Sequence, residues 1–176
     1  MAFLLFIVQC LYFMLPAYVA NMAPVLMKWC CPSLASPIDC NKKLFGKAIF
    51  GKNKTWRGLI FGVISGIIIS FIQFLINYKP LELISYNDWL IFGFLMGLGA
   101  ILGDLLGSML KRQVGIAPGK KFIPVDQLDF VFGSLLLSYT FVPSWKLVLT
   151  ICLISPFLHI LTNHIAFFTK IRKEAW

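Results

Sequence analysis

Between Arg57 and Lys79 the chain carries no charged side chain, and none stands ahead of Lys28 either. Stretches of this kind are long enough to cross a bilayer, whose hydrocarbon core takes about 20 apolar residues of helix. Such segments must satisfy every backbone donor and acceptor internally, so the fold class that follows is an all-α integral membrane protein. Composition agrees: the 176 residues are 59% hydrophobic and 13% charged, roughly half the charged fraction of an average soluble domain. We expect one transmembrane domain over residues 1–176 with five transmembrane helices, at about 2–20, 55–77, 89–110, 127–142 and 146–169. A long loop (21–54) and a shorter one (111–126) would lie on one side.

The cations sort by side. Lys28, Lys42, Lys43, Lys47, Lys52, Lys54 and Arg57 lie on or beside the first connection. Lys111, Arg112, Lys120 and Lys121 lie on the third, and Lys170, Arg172 and Lys173 on the tail; only Lys79 and Lys146 fall elsewhere. The positive-inside rule then predicts a multi-pass protein of the cell membrane with its N-terminus outside, its C-terminus in the cytoplasm and its charged site facing the cytoplasm. Cysteine labels at Tyr86 and Gly119 would report opposite sides. The first span lacks a basic leader and is expected to be retained rather than cleaved. The net charge of +9 points, in so apolar a chain, to anionic headgroups or phosphates and not to nucleic acid. Cys10, Cys30, Cys31, Cys40 and Cys152 include no C-x-x-C pair, so they do not suggest zinc.

The chemistry concentrates in residues 103–129. Three of the seven acidic residues, Asp104, Asp126 and Asp129, flank one basic loop. Carboxylates at the ends of apolar segments are costly and mark functional sites. Asp104, Ser108 and Lys111 or Arg112 follow at intervals that share one helix face. Asp126 and Asp129 open the next helix, where the dipole favours acids. Carboxylates amid Lys111, Arg112, Lys120 and Lys121 suit Mg²⁺ and nucleotide phosphates, with Asp104, Asp126 and Asp129 as metal ligands. Upstream, Asn53-Lys54-Thr55-Trp56-Arg57 places cations and short polar groups at a helix start, which favours anions. Asn21 is a further polar group near the same face, as a cap or a ligand contact. Glycines four apart on the second span (Gly58, Gly62, Gly66) and the third (Gly93, Gly97, then Gly99, Gly103, Gly107) predict close packing of these two helices. His159 and His164, five apart, do not share a helix face and are read as packing or headgroup contacts.

The block Ser108-Met109-Leu110-Lys111-Arg112 followed by Asp126-Gln127-Leu128-Asp129 resembles the signature of CTP:phosphatidate cytidylyltransferases. The archaeal branch, the CDP-archaeol synthases, is more similar, also at Pro16–Asn21, Asn53–Gly58, Gly103-Asp104-Leu105, Phe122–Asp129 and Leu158–Asn163. The resemblance implies Mg²⁺-dependent reaction of CTP with an isoprenoid ether-lipid phosphate, 2,3-di-O-geranylgeranyl-sn-glycerol 1-phosphate, to give CDP-archaeol and pyrophosphate. It implies catalytic roles for Asp104, Lys111, Arg112, Asp126 and Asp129, and substrate binding by Asn21, Asn53, Lys54, Thr55, Arg57, Ser108, Lys120 and Lys121. The broader family's His-Gly-Gly ahead of the first Asp is replaced by Ile123-Pro124-Val125, which favours the ether lipid over phosphatidate. The alternatives within enzymes are a phosphatidate cytidylyltransferase and a CTP-dependent polyprenol kinase. Outside enzymes they are an ion-coupled transporter using Asp104 and a scaffold binding anionic lipid.

Overall fold

The computed structural model describes residues 2–117 and 120–170. Pro118, Gly119 and the tail with Arg172, Lys173 and Trp176 lie outside the described residues. The described residues form an all-α bundle of five helices: α1 (Ala2–Leu26), α2 (Trp56–Ile76), α3 (Trp89–Gln113), α4 (Val125–Leu137) and α5 (Trp145–Phe168). All except α4 are long and apolar enough to cross a membrane. Two features depart from the expected spans.

First, α1 does not stop at Ala20 but runs through Pro16 and Pro24 to Leu26. Asn21 therefore sits inside the helix, half-buried, and is not a cap. Second, the expected span 127–142 is helical only to Leu137; α4 has 13 residues, about 20 Å at 1.5 Å per residue. Ser138 turns its hydroxyl back onto the Ser134 carbonyl at 2.7 Å, and the chain continues as a 3₁₀ turn over Tyr139–Phe141. Val142 is extended, as a residue ahead of a proline prefers to be. This tighter turn has a larger rise per residue. It carries Phe141 against Phe92 in the first turn of α3, ring centroids 5.3 Å apart. At the other end Asp126 meets Lys111 in the last turns of α3. Residues 125–141 thus run beside nearly the whole of α3 with fewer helical residues.

The bundle is built around α3, with α2, α4 and α1 packed on it and α5 lying mainly on α4. Its centre is made by Phe13, Met14, Phe92, Met96, Val131, Leu147 and Ile151. Glycines set how near the helices come. A Cβ on Gly66 would stand 2.8 Å from both the Gly93 carbonyl oxygen and the Gly97 Cα, so α2 and α3 touch along the expected stripe. The rest of the α3 stripe faces elsewhere. A Cβ on Gly99 would meet Ser134 Cα at 2.6 Å, and one on Gly103 would meet the Asp129 carbonyl carbon at 2.8 Å, both in α4. Gly97 and Gly99 are two residues apart, about 200° around a helix, so the two glycine runs lie on opposite sides of α3. One line binds α2 and the other binds α4.

The 27–55 connection is folded. Asp39 is its anchor: buried, it accepts the amides of Asn41, Phe50 and Gly51, each at 3.0 Å. Between these amides β1 (Lys43–Leu44) and β2 (Lys47–Ala48) form a small antiparallel hairpin. The Ile38 amide donates to the Lys54 carbonyl at 2.9 Å and the Trp56 amide to Ser36 at 3.2 Å, which fixes the backbone into α2. Lys47, on this hairpin, donates to the Gln113 carbonyl at 2.5 Å. The hairpin leans on the C-terminal end of α3, where unpaired carbonyls favour a cation.

Burial raises the Asp39 pKa, and the amides of Gly51, Phe50 and Asn41 more than offset this and hold it below the ordinary carboxylate value. Because the folded value is depressed, Asp39 contributes fully above its unfolded pKa of about 3.9, and the contribution is lost as pH falls through the folded value. Hydrogen-exchange protection of the Phe50 and Gly51 amides should therefore fall away only in acid below that range. Asp39→Ala should remove it already at pH 7, by about 2 kcal/mol of local opening free energy. For topology, Tyr86 is buried, so its neighbour Asn87, which is exposed, is the better reporter. Asn87→Cys and Lys120→Cys, with Cys30, Cys31 and Cys40 replaced, should label from opposite sides of the membrane; labelling from one side would refute the expected topology.

Candidate active site where three segments meet

Lys54 stands one residue ahead of Thr55, whose hydroxyl caps α2 by accepting the Gly58 amide at 3.3 Å. From that fixed root the Lys54 Nζ reaches Asp104 Oδ2 on α3 at 2.5 Å, with both side chains about a quarter exposed. Asp129 arrives from α4. The close approach at Gly103 and Gly107 lays it along α3, where a Cβ on Gly107 would stand 2.9 Å from its Cγ. Its Oδ1 accepts the Phe130 amide at 2.6 Å, and its charged neighbours are Asp104, Lys54 and Asp126. Two carboxylates and one ammonium from three separated segments thus face one spot.

A second pair lies beside it. Lys111 Nζ engages both carboxylate oxygens of Asp126, at 2.8 and 2.7 Å, and Asp126 Oδ2 also accepts the Phe122 amide at 2.9 Å. This pair is less exposed, 10% and 17%. It closes the corner between α3 and α4, and it puts the Lys111 charge at the negative end of the α3 dipole. Arg112 turns the same way, its guanidinium donating to the Ile116 carbonyl just beyond the helix end.

The other expected residues are placed as follows. Arg57 donates to the Cys30 carbonyl at 3.1 Å, tying α2 to the chain leaving α1. Ser108 is buried in α3. Asn53, Lys120 and Lys121 are exposed, and Asn21 lies within α1. Among the described residues no group of three or more His, Cys, Asp or Glu side chains is close enough to hold a metal ion. The expected trio is therefore not gathered into one ligand set: Asp104 and Asp129 converge, while Asp126 is held by Lys111. Sequence reasoning missed Gly107 as part of the site, although its step of four from Gly103 beside Asp104 was the available signal. It also missed the support behind Asp129, where Phe130 meets Tyr18 and His159 edge-on and Tyr18 and Ser155 share a hydrogen bond of 2.7 Å.

The helical bundle thus gathers half-buried carboxylates, with lysines beside them, at one end. The chain is similar to a solved structure described as an intramembrane enzyme for archaeal membrane lipids biosynthesis, with a TM-score of 0.73, 28% identity, and coverage of 87% of this chain and 91% of that one. The family model described as CarS-like, CDP-archaeol synthase, matches residues 3–176. Relatives named CDP-archaeol synthase include one from Methanocaldococcus jannaschii, 35% identical over 94% of this chain and 95% of the relative. Another, from Methanococcus aeolicus, is 33% identical over the full length of both. The chain belongs to the CDP-archaeol synthase family and is an enzyme.

Gly107→Ala tests the site without removing a functional group. The added methyl would meet the end of the Asp129 side chain and not backbone. The expected outcome is a turnover loss of about 10²-fold, on the scale of losing one preorganised charge contact. The unfolding temperature should change little. A variant with normal turnover would take Asp129 out of the working site.

Proposed function

We propose that the chain is a CTP:2,3-di-O-geranylgeranyl-sn-glycerol 1-phosphate cytidylyltransferase, forming CDP-archaeol and pyrophosphate at the cytoplasmic face of the membrane. The observation that carries this reading is the meeting of Lys54, Asp104 and Asp129 at the end of a lipid-embedded bundle. The names borne by the relatives support it. In the reaction an oxygen of the lipid phosphate attacks the α-phosphorus of CTP. The bond from that phosphorus to the bridging oxygen breaks, and pyrophosphate leaves. No protein nucleophile is needed, so the protein's work is positioning and charge neutralisation.

The donor set fits Mg²⁺. This ion is typically held by one or two carboxylates together with substrate phosphates, and Asp104 and Asp129 would supply two carboxylates. When bound, Mg²⁺ would offset the charge of the reacting phosphates. Asp104 and Asp129 would hold it, with Asp126 behind them fixing the α3–α4 corner through Lys111. Lys54 would hold the nucleotide phosphates from the α2 side, and Thr55 fixes the helix start from which Lys54 reaches. Lys111 and Arg112 add positive charge at the depth of the lipid phosphate. Asn53, Lys120 and Lys121, being exposed, would meet CTP arriving from the water, and the prenyl chains would enter between the helices.

Incubating the purified protein with α-labelled CTP, Mg²⁺ and the ether-lipid phosphate should put the label in a CDP-lipid. A label that transfers only from the γ position would mean a kinase instead. The ether lipid should be preferred to a diacyl phosphatidate, and CTP to ATP or GTP; equal use of the diacyl lipid would refute the substrate assignment. Asp104→Asn and Asp129→Asn should each lower turnover by at least about 10²-fold with the fold intact. Asp126→Asn should lower turnover too, and should also destabilise the protein by about 3 kcal/mol, because it leaves the buried Lys111 without its counter-charge. Equal thermal stability for all three variants would refute that division of roles.

A further inference from the structure

The structure holds two lysine–aspartate pairs of opposite character. In the Lys111–Asp126 pair the ammonium engages both carboxylate oxygens, a backbone amide adds a third donor, and little of either side chain reaches solvent. In the Lys54–Asp104 pair the ammonium engages Oδ2 alone. Both side chains are more open, and the second carboxylate, Asp129, feels the same ammonium. The root of Lys54 is fixed, since its amide donates to the Gly51 carbonyl at 3.1 Å and its carbonyl accepts from Ile38. Its four-carbon stem can still swing while the backbone stays in place.

We infer that Lys54 is the resident counter-ion of the Asp104–Asp129 pair in the nucleotide-free enzyme, and that it leaves Asp104 for the nucleotide phosphates as the metal arrives. A divalent cation approaching the two carboxylates meets an ammonium already seated on one of them, and like charges at this range repel strongly. The repulsion disappears only if the ammonium finds another anion, and the triphosphate supplies one. Metal and nucleotide therefore enter together, and Asp104 keeps a counter-charge before substrate binds. Asp126 takes no part, because breaking its pair would strand a buried charge. The inference rests on the cytidylyltransferase reading for the identity of the nucleotide, but it concerns this chain's own charges.

The test is Mn²⁺ binding to the detergent-purified full chain without nucleotide, read by the electron paramagnetic resonance of free ion. The wild type should bind weakly. Lys54→Met and Lys54→Gln should bind at least about tenfold more tightly, and Lys54→Arg should resemble the wild type. Adding Asp104→Asn to Lys54→Met should abolish the gain. A non-hydrolysable CTP analogue should tighten Mn²⁺ binding by at least about tenfold in the wild type and by much less in Lys54→Met. Thermal unfolding confirms that each variant is folded, and the Gln variant serves if Met does not fold. Two results would overturn the inference: no gain in either neutral variant, or wild-type binding that is already tight without nucleotide. The labelled-CTP assay separates the two claims. Product without a Mn²⁺ gain removes the counter-ion role alone, and a Mn²⁺ gain without CDP-lipid removes the substrate reading alone.

Discussion

The close approach of α3 and α4 through Gly99, Gly103 and Gly133 is the constraint on which the rest depends. In a bilayer, apolar side chains gain little by leaving lipid for one another, so helices associate through tight van der Waals packing. With backbone against backbone at Gly103, Asp129 cannot avoid α3, and Gly107 leaves the space its side chain fills. A larger residue at either glycine would separate the two carboxylate-bearing helices or turn Asp129 away. The chemistry of the site thus begins as a packing decision.

The water-facing side of the site is set by a different force. Asp39 draws three amides onto one carboxylate and so turns a connection with several lysines into a folded cap. Charge-assisted bonds of this kind are roughly twice as strong as neutral ones. They support a loop that has little apolar surface of its own to bury. The pairing of residues 36–38 with residues 54–56 then fixes the point from which Lys54 reaches into the bundle. Membrane packing places the carboxylates and loop hydrogen bonding places the ammonium, and the site exists only where the two meet.

Much of this could be read from the chain. The absence of charge between Arg57 and Lys79 is a requirement of the bilayer, so the helical class and most span positions followed from length alone. Asp104, Asp129 and Lys54 stood out because charges are rare in such a chain. Three things could not be read with the same tools. The end of α1 was placed at about residue 20 by the length of a bilayer span, whereas the helix runs on to Leu26 and its Pro24 packs against Gly58. The length of α4 was overstated because hydropathy does not distinguish an α-helix from the 3₁₀ turn that follows it. The partition of the aspartates was hidden because it depends on which lysine each carboxylate meets. Lys111 and Asp126 are 15 residues apart and Lys54 and Asp104 are 50 apart, with no local spacing rule linking either pair. The glycine stripe differs from these three: the two-residue shift from Gly97 to Gly99 encodes two opposite faces of α3, and helix geometry alone suffices to decode it.

Neutrality links these observations. Carboxylates near lipid depth are expensive without a cation beside them, and in the proposed reaction the site would hold a metal and a polyphosphate, which needs a carboxylate that can exchange that cation. The bundle meets both demands by dividing the aspartates. Asp126 receives a lysine that engages both its oxygens and ties α4 to α3, while Asp104 receives one held at a single oxygen on a flexible stem, with Asp129 beside it. Saturating all three would leave no carboxylate free to take the proposed metal. Leaving all three open would concentrate like charges at the junction the fold most needs. The asymmetry between the two pairs is how one end of a small helical bundle can be stable and reactive at once.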